Sequence, residues 1–475
     1  MSEKRERGKQ TAEAEPAESG ERQGVLSGVW RSIFRGPLVP RSDRDRKLIV
    51  VQNFLLHFRP VRLPERSLRY THTWGLGGMS LVLVLLLVAT GVLMMFVYQP
   101  SPEEAYGSIL AMRDEVLFGK LVRNVHHWSA NFLVIVALLH LLRVYFTGAF
   151  HTPRQFNWII GVTLLLCILA SNFTGYLLPW DQLSYWAITI STSMIGYVPL
   201  AGEWLQGVVR GGTDIGSATL ITFYTLHTTV VPVTIVVLMA FHFWRVRKAR
   251  GVIVPRGPDE EPEEYPERVL ALPNLLLREL AVALALVAFV LVFSVVFNAP
   301  LGNEANLGMS PNPAKAPWYF MGIQELLLHF HPFFAVVLIP LLIAGALLAI
   351  PYLRYDSDAS GVLLLSHRGR RMAAIAAVTA VVVTPVLIVL DEFWFDAGAW
   401  LPGMPSVVSN GLLPTVVLAA ALAGFYVALK RRYAASNNEA IQASFVLLLT
   451  ALAVLTATGV WLRGSGMALV WPWMS

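Results

Sequence analysis

The sequence predicts an all-α polytopic membrane protein, a four-helix bundle followed by additional transmembrane helices, about nine spans in all. Three observations lead there. Of the 475 residues, 55% are hydrophobic and only 14% charged, and mean hydropathy is +0.56, too apolar for a water-soluble chain of this size. Apolar runs of roughly 20 residues, the length that crosses a bilayer core, recur near 74–98, 121–148, 155–179, 219–246, 276–298, 332–353, 372–391, 411–430 and 441–463. Lys and Arg collect in alternate connections, at 41–69, 143–154, 245–250, 354–371 and 430–432, whereas the opposite ones carry Glu103, Glu104, Asp214, Asp391 and Asp396. Positive connections stay in the cytoplasm, so the N-terminus is expected inside and the C-terminus outside. The formal charge of +6 is then a topology signal, and no nucleic acid is expected as a partner.

Taken in order, residues 1–70 are charged and lack an early apolar run. They are expected to form a cytoplasmic arm, disordered over 1–24, without a cleavable secretory signal, so that the first span directs insertion. Residues 71–250 hold four spans and form the N-terminal domain. Within them 183–218 is less apolar and contains Gly, Pro and Ser, which predicts short surface helices roofing the outer face. Residues 251–275 are expected to be a solvated linker, because RGPDEEPEEYPER at 256–268 is dense in proline and acid. Residues 276–475 form a C-terminal membrane domain of five spans. The single Cys167 falls inside the third span, can make no intrachain disulfide, and is expected as a small apolar filler.

The chemistry lies in four histidines: His126 and His140 in the second span, His227 and His242 in the fourth. Ionisable side chains at membrane depth are costly and are retained for function. Intervals of 14 and 15 residues separate the members of each pair by about 21 to 22 Å along a helix, and leave them about 40° short of four turns or about 60° beyond. Each pair therefore looks toward one side. If the two helices run parallel, His126 meets His227 near one surface and His140 meets His242 near the other. Two imidazoles suit iron but make a poor zinc site, which generally wants four ligands. A heme brings the other four nitrogens. Any one of these histidines could be a core residue bonded to a carbonyl; four at matched intervals predict two stacked hemes. Gly77 and Gly91 in span one, and Gly161 and Gly175 in span three, repeat the 14-residue interval. Glycine lets a flat macrocycle approach the backbone, although small residues also serve helix packing. Arg123 and Arg143 lie three residues outside their histidines toward the membrane edges, placed to pair with heme propionates or to snorkel.

The segments RNVHHWSANFLVIVALLHLLRVYFTGAF (123–150), GYLLPWDQ (175–182) and FYTLHTTVVPVTIVVLMAFHF (223–243) closely resemble the cytochrome b subunit of cytochrome bc-type quinol oxidoreductases, with likeness over roughly 70–390. The 15-residue step and the wording PWDQ resemble the photosynthetic and related bacterial branch. The resemblance implies an electron-transfer subunit in a bacterial inner membrane with two noncovalent hemes b. It implies quinol oxidation at an outer pocket, with one electron passing to a Rieske iron–sulfur protein and on to a c-type cytochrome or equivalent acceptor. The other crosses the hemes to quinone at an inner pocket, coupled to proton translocation, in a homodimeric complex.

Two departures stand out. The family's outer-pocket motif is altered to APWYF at 316–320. Pro317, Trp318 and Tyr319 are expected there, but Pro317 stands where many members carry a proton-accepting glutamate. Glu325 is the expected substitute: if 318–329 is helical, it lies seven residues after Trp318 and four before His329, all on one face. Gly75 stands near a position where some relatives attach an extra heme through cysteine, so only noncovalent heme is expected. Two other readings stay open. A diheme membrane anchor of a dehydrogenase or hydrogenase shares the histidine bundle but not APWYF or the five-span second half, and a secondary transporter would carry no heme.

Overall fold

The computed structural model describes residues 40–53, 56–395 and 397–471. The arm expected over 1–24, the rest of 1–39 and Asp396 lie outside them. Nine helices among the described residues are long and apolar enough to cross a membrane. In chain order they are α1 (Leu76–Met95), α2 (Gly119–Phe146), α3 (Gln155–Leu177), α4 (Ser217–Lys248) and α5 (Ala271–Val296). A short helix, α6 (Met321–His329), precedes α7 (Phe334–Tyr352), α8 (His367–Phe393), α9 (Val408–Tyr433) and α10 (Asn437–Trp461). Each span coincides with an apolar run, as the bilayer demands: only a helix satisfies its own backbone in hydrocarbon. The face carrying residues 40–70 is termed proximal and the opposite face distal.

The first half is a bundle of α1 to α4, against which α5 lies. One apolar core joins all five through Leu83 and Val84 of α1, Leu133 and Val134 of α2, Ile168 of α3, Ile235 of α4, and Leu286 and Val290 of α5. The α2–α5 seam is also hydrogen-bonded: Asn124 donates to the Ser294 carbonyl at 2.9 Å and accepts from the Ala299 amide at 2.9 Å. In the second half α8 and α10 pack through Ala373, Ala376, Ala440 and Ala443, small side chains that let helix backbones approach.

Three spans contain a π turn, at Leu226–Val230, Phe334–Leu338 and Val408–Leu412. Each ends two residues before a proline: Pro232, Pro340 and Pro414. Proline has no amide hydrogen, and its ring clashes with the carbonyl four residues back; widening the preceding turn relieves both. Pro385 is held inside α8 without one. A π turn takes up one extra residue, and in α4 that residue matters to the site.

The segment expected to be a solvated linker is tied to the proximal face. Strand β1 (Arg62–Pro64) pairs antiparallel with β2 (Arg268–Leu270), Arg66 meets Glu260 at 2.7 Å, and Arg256 donates to the carbonyls of Ser360 and Asp358. Its acidic composition provides partners for arginines distant in sequence. On the distal face, short helices at Gln182–Ser193 and Gly202–Arg210 cover the bundle, as 183–218 predicts. Asp181 caps the first of them and accepts from the Gly302 amide at 2.8 Å, fastening it to the second half.

Candidate functional site

The bundle brings the four histidines together in two pairs. Ring centres of His126 and His227 are 6.1 Å apart, and those of His140 and His242 are 6.4 Å apart. A metal–imidazole bond of about 2.0 Å plus about 1.1 Å from nitrogen to ring centre puts two axial imidazoles about 6.2 Å apart. The pairs have the spacing of ligands on either side of one metal ion. Among the described residues no group of three or more His, Cys, Asp or Glu side chains could hold a metal ion, so a metal held by either pair would take its remaining ligands from outside the polypeptide.

The unequal intervals are reconciled by the π turn. His227 sits inside Leu226–Val230, so the 15 residues to His242 contain one that adds no α-helical step. They advance as 14 do, matching His126 to His140 in α2.

Each histidine faces one of the four glycines. A Cβ on Gly77 would stand 3.4 Å from His140 Cε1, on Gly91 3.3 Å from His126, on Gly161 3.5 Å from His242 and on Gly175 only 2.4 Å from His227. Backbone carbonyls and hydroxyls orient the rings. His227 Nδ1 is 2.9 Å from the Ser171 carbonyl, and His126 Nδ1 is 3.0 Å from Thr90 Oγ1. A neutral ring that donates through Nδ1 leaves Nε2 as a free ligand. His242 Nδ1 is buried beside the Asn157 carbonyl without closing a hydrogen bond to it. The donor set, its spacing and the bare glycines fit a flat metal macrocycle at each level. Thr90 and Ser171 are absent from the sequence reading, yet a signal exists: Thr-Gly recurs at 90–91 and 174–175, and Thr174 Oγ1 also lies 3.5 Å from His227 Nδ1.

The two arginines have partners the sequence does not show. Arg123 is buried and donates to the carbonyls of Ala299 and Pro300 at 2.9 and 2.6 Å, joining the bundle to the loop after α5. Arg143 donates to the His72 carbonyl at 2.9 Å and lies 2.7 Å from His72 Nε2. Burial and that guanidinium push the His72 imidazole down to about 4, so it is neutral, and its Nε2 lies 2.8 Å from the Ile253 carbonyl as well. Gly75 has φ +66°, and a Cβ there would meet Val282 at 3.2 Å; a side chain at this position is strained whatever its chemistry.

Pro317 opens a 3-10 turn over Trp318–Phe320 that runs directly into α6. The Trp318 indole donates to Asn131 of α2 at 2.9 Å, Tyr319 packs on the bundle core, and the Phe320 ring lies 6.2 Å from that of Phe173 in α3. The motif thus faces the His126–His227 level.

Trp318, Glu325 and His329, expected on one face, meet different neighbours: Trp318 bonds Asn131 of α2, Glu325 meets Arg463 just beyond α10, and His329 meets Asp391 of α8. Glu325 is wholly buried and takes 2.6 to 3.1 Å hydrogen bonds from Arg463. Burial alone would raise its pKa, but the bonds from His329 and Arg463 outweigh that and hold it below the usual carboxylate range. It is an ion-pair partner of Arg463.

Comparison with known proteins places this geometry. The family model Cytochrome b/b6/petB matches residues 65–250. The chain is 44% identical over 180 residues to Cytochrome b6 of Prochlorococcus marinus (strain MIT 9211), covering 38% of this chain and 82% of that one. The figures are the same for Cytochrome b6 of Synechococcus sp. (strain CC9902). A chain of the Hyperthermophilic respiratory Complex III structure shares the fold with a TM-score of 0.61 at 22% identity, over 86% of this chain and 97% of that one.

Proposed function

The chain belongs to the cytochrome b family, and on that premise we propose that it is the diheme, quinol-oxidising membrane subunit of a bc-type complex. The observation that carries the reading is the two imidazole pairs at 6.1 and 6.4 Å, each between glycines. His126 with His227, and His140 with His242, hold two noncovalent hemes b. When bound, these supply a one-electron carrier at each of two membrane depths. The protein's part is to fix ring orientation through Thr90 and Ser171, to leave flat faces at Gly77, Gly91, Gly161 and Gly175, and to exclude water with the surrounding apolar core. Arg123 and Arg143, toward the two membrane edges, would be the cationic partners for heme propionates.

Trp318 and Tyr319, presented by Pro317 toward α2 and α3, form one wall of the quinol pocket on the distal face. That face is the outer one, given the Lys and Arg on the proximal connections; the N-terminus is then cytoplasmic and the membrane a bacterial inner membrane. Quinol is oxidised outside and quinone reduced inside, moving protons outward in a Q-cycle. Electrons leave to a Rieske iron–sulfur protein and a c-type cytochrome or equivalent carrier, in a homodimeric complex. Family membership sets the transporter reading aside, and APWYF with five further spans separates the chain from a dehydrogenase or hydrogenase anchor.

Heme-to-protein ratio with a redox titration tests the reading. Two components of unequal potential per chain are expected, both reduced by quinol, with no heme retained on denaturing electrophoresis. A ratio of one or none, or hemes that quinol does not reduce, refutes it.

A further inference from the structure

Resting on the reading of 317–319 as a quinol wall, we propose that the distal end of α10 is part of the quinol site, with Arg463 the positioning residue that sets how Trp318 and Tyr319 face it. The span lies outside the 65–250 region matched by the family model, and nothing in the histidine bundle requires it.

The whole segment from Asn312 to His329 is mounted on this end of the chain. Lys315 Nζ donates to the Val460 carbonyl at 3.0 Å, and the Gly466 amide donates to Asn312 Oδ1. At Gly322 a Cβ would stand 2.6 Å from Leu452 Cδ1 and 2.7 Å from Thr456 Oγ1; at Gly459 it would stand 3.0 Å from Met321 Cε. Gly322 of α6 thus seats Leu452 and Thr456 of α10, and Gly459 of α10 seats Met321 of α6. At the end of this contact Arg463, 1% exposed, grips Glu325, 0% exposed, through three hydrogen bonds.

The ion pair extends in both directions. Arg463 also donates to Glu392 at 2.9 Å and to the Met467 carbonyl at 2.9 Å. Glu325 lies 3.3 Å from His329 Nε2, whose Nδ1 is 2.6 Å from Asp391. Arg463 and His329 are the cationic groups facing these three carboxylates. A buried pair of this kind seldom stabilises more than apolar packing would; its distinctive effect is to select one register. Apolar helices in contact can rotate or slide at little cost, whereas a guanidinium fork accepts one geometry. No linker separates α6 from the 3-10 turn, so the rotation of α6 that Glu325 selects is passed to Trp318 and Tyr319.

The test compares Arg463→Gln, Glu325→Gln and the double variant in the complete complex, with quinol titrated and heme followed separately. In Arg463→Gln, which removes the guanidinium fork and leaves the buried carboxylate only His329, kcat/KM for quinol is expected to fall at least about tenfold, chiefly through KM, as for a displaced binding wall. Both hemes should keep their spectra and potentials. The double variant, with two amides that bond each other, is expected to return to within about threefold of wild type. Quinol kinetics unchanged in Arg463→Gln overturn the proposal. So does a double variant as impaired as Glu325→Gln alone, since the carboxylate itself would then be needed. Should Arg463→Gln not accumulate, Arg463→Lys is read in its place: charge retained, fork lost, and an intermediate rise in KM expected, no rise being the overturning result. A wild-type complex with two hemes and no quinol oxidation fails the earlier reading instead.

Discussion

Gly175→Ala tests the distal imidazole pair most sharply. A Cβ at this position stands 2.4 Å from His227 Cε1, 2.8 Å from Nδ1 and 3.0 Å from Nε2, where ordinary contact begins at 3.4 Å. The ring must retreat by about 1 Å, half the length of a metal–imidazole bond of about 2.0 Å. It cannot swing freely, because Nδ1 is bonded to the Ser171 carbonyl one turn before Gly175, and losing such an orienting partner weakens metal binding by about 10- to 100-fold. Ligand displacement and lost orientation act together, so the distal heme should be lost while the His140–His242 level is untouched. Gly78→Ala is the matched control: nothing lies within 4 Å of its Cβ. Heme-to-protein ratio and redox titration of the purified proteins read the result. One heme and one redox component are expected in Gly175→Ala, two in Gly78→Ala. Two hemes with wild-type potentials in Gly175→Ala would refute the reasoning, as would equal damage in both.

Three further outcomes are expected. Thr90→Val removes the hydroxyl beside His126 Nδ1 and should weaken retention of the distal heme by about tenfold during dilution, with little effect on the proximal one; equal retention would show that Thr90 does not orient the ring. Asn131→Ala frees the Trp318 indole, a loss of about 1 kcal/mol expected as a roughly fivefold higher KM for quinol with both heme spectra intact. Burial lowers the pKa of His329, but hydrogen bonds to Asp391 and Glu325 outweigh that and raise it from 6.5 to about 9. A folded-state pKa above the unfolded one stabilises fully below about pH 6.5 and ceases to do so as pH rises through about 9, with a ceiling on the order of 3 kcal/mol. The difference in thermal midpoint between wild type and His329→Gln should therefore shrink between pH 6 and pH 10, and a constant difference would count against a charged His329.

The spans were legible because a bilayer imposes length and apolarity on each one separately, with no need of a partner. The histidine and glycine intervals were legible for a related reason: helical periodicity converts a spacing of 14 into a shared face. The 15-residue step strained that rule. Pro232 was visible in the sequence, but the widened turn before it exists only in the folded helix, and it is this turn that restores His242 to the face of His227. Glu325 shows the opposite limit. Its helix position pointed to a role beside Trp318, but the partner it takes, Arg463, comes from the far end of the chain and meets it only in the fold.

Sequence alone thus determined what depends on a few neighbouring residues: nine spans, their alternating charge, the paired imidazoles and the bare glycine faces. Tertiary structure decided what depends on groups far apart in the chain. Arg463 lies 138 residues from Glu325, and Arg123 lies 176 from Ala299. The acidic stretch at 256–268 stays largely exposed, yet that it meets Arg66 is not written in its composition. Periodicity is a local property of a helix, whereas a charge or a backbone carbonyl acquires its partner only when distant segments pack, and no spacing rule encodes that meeting.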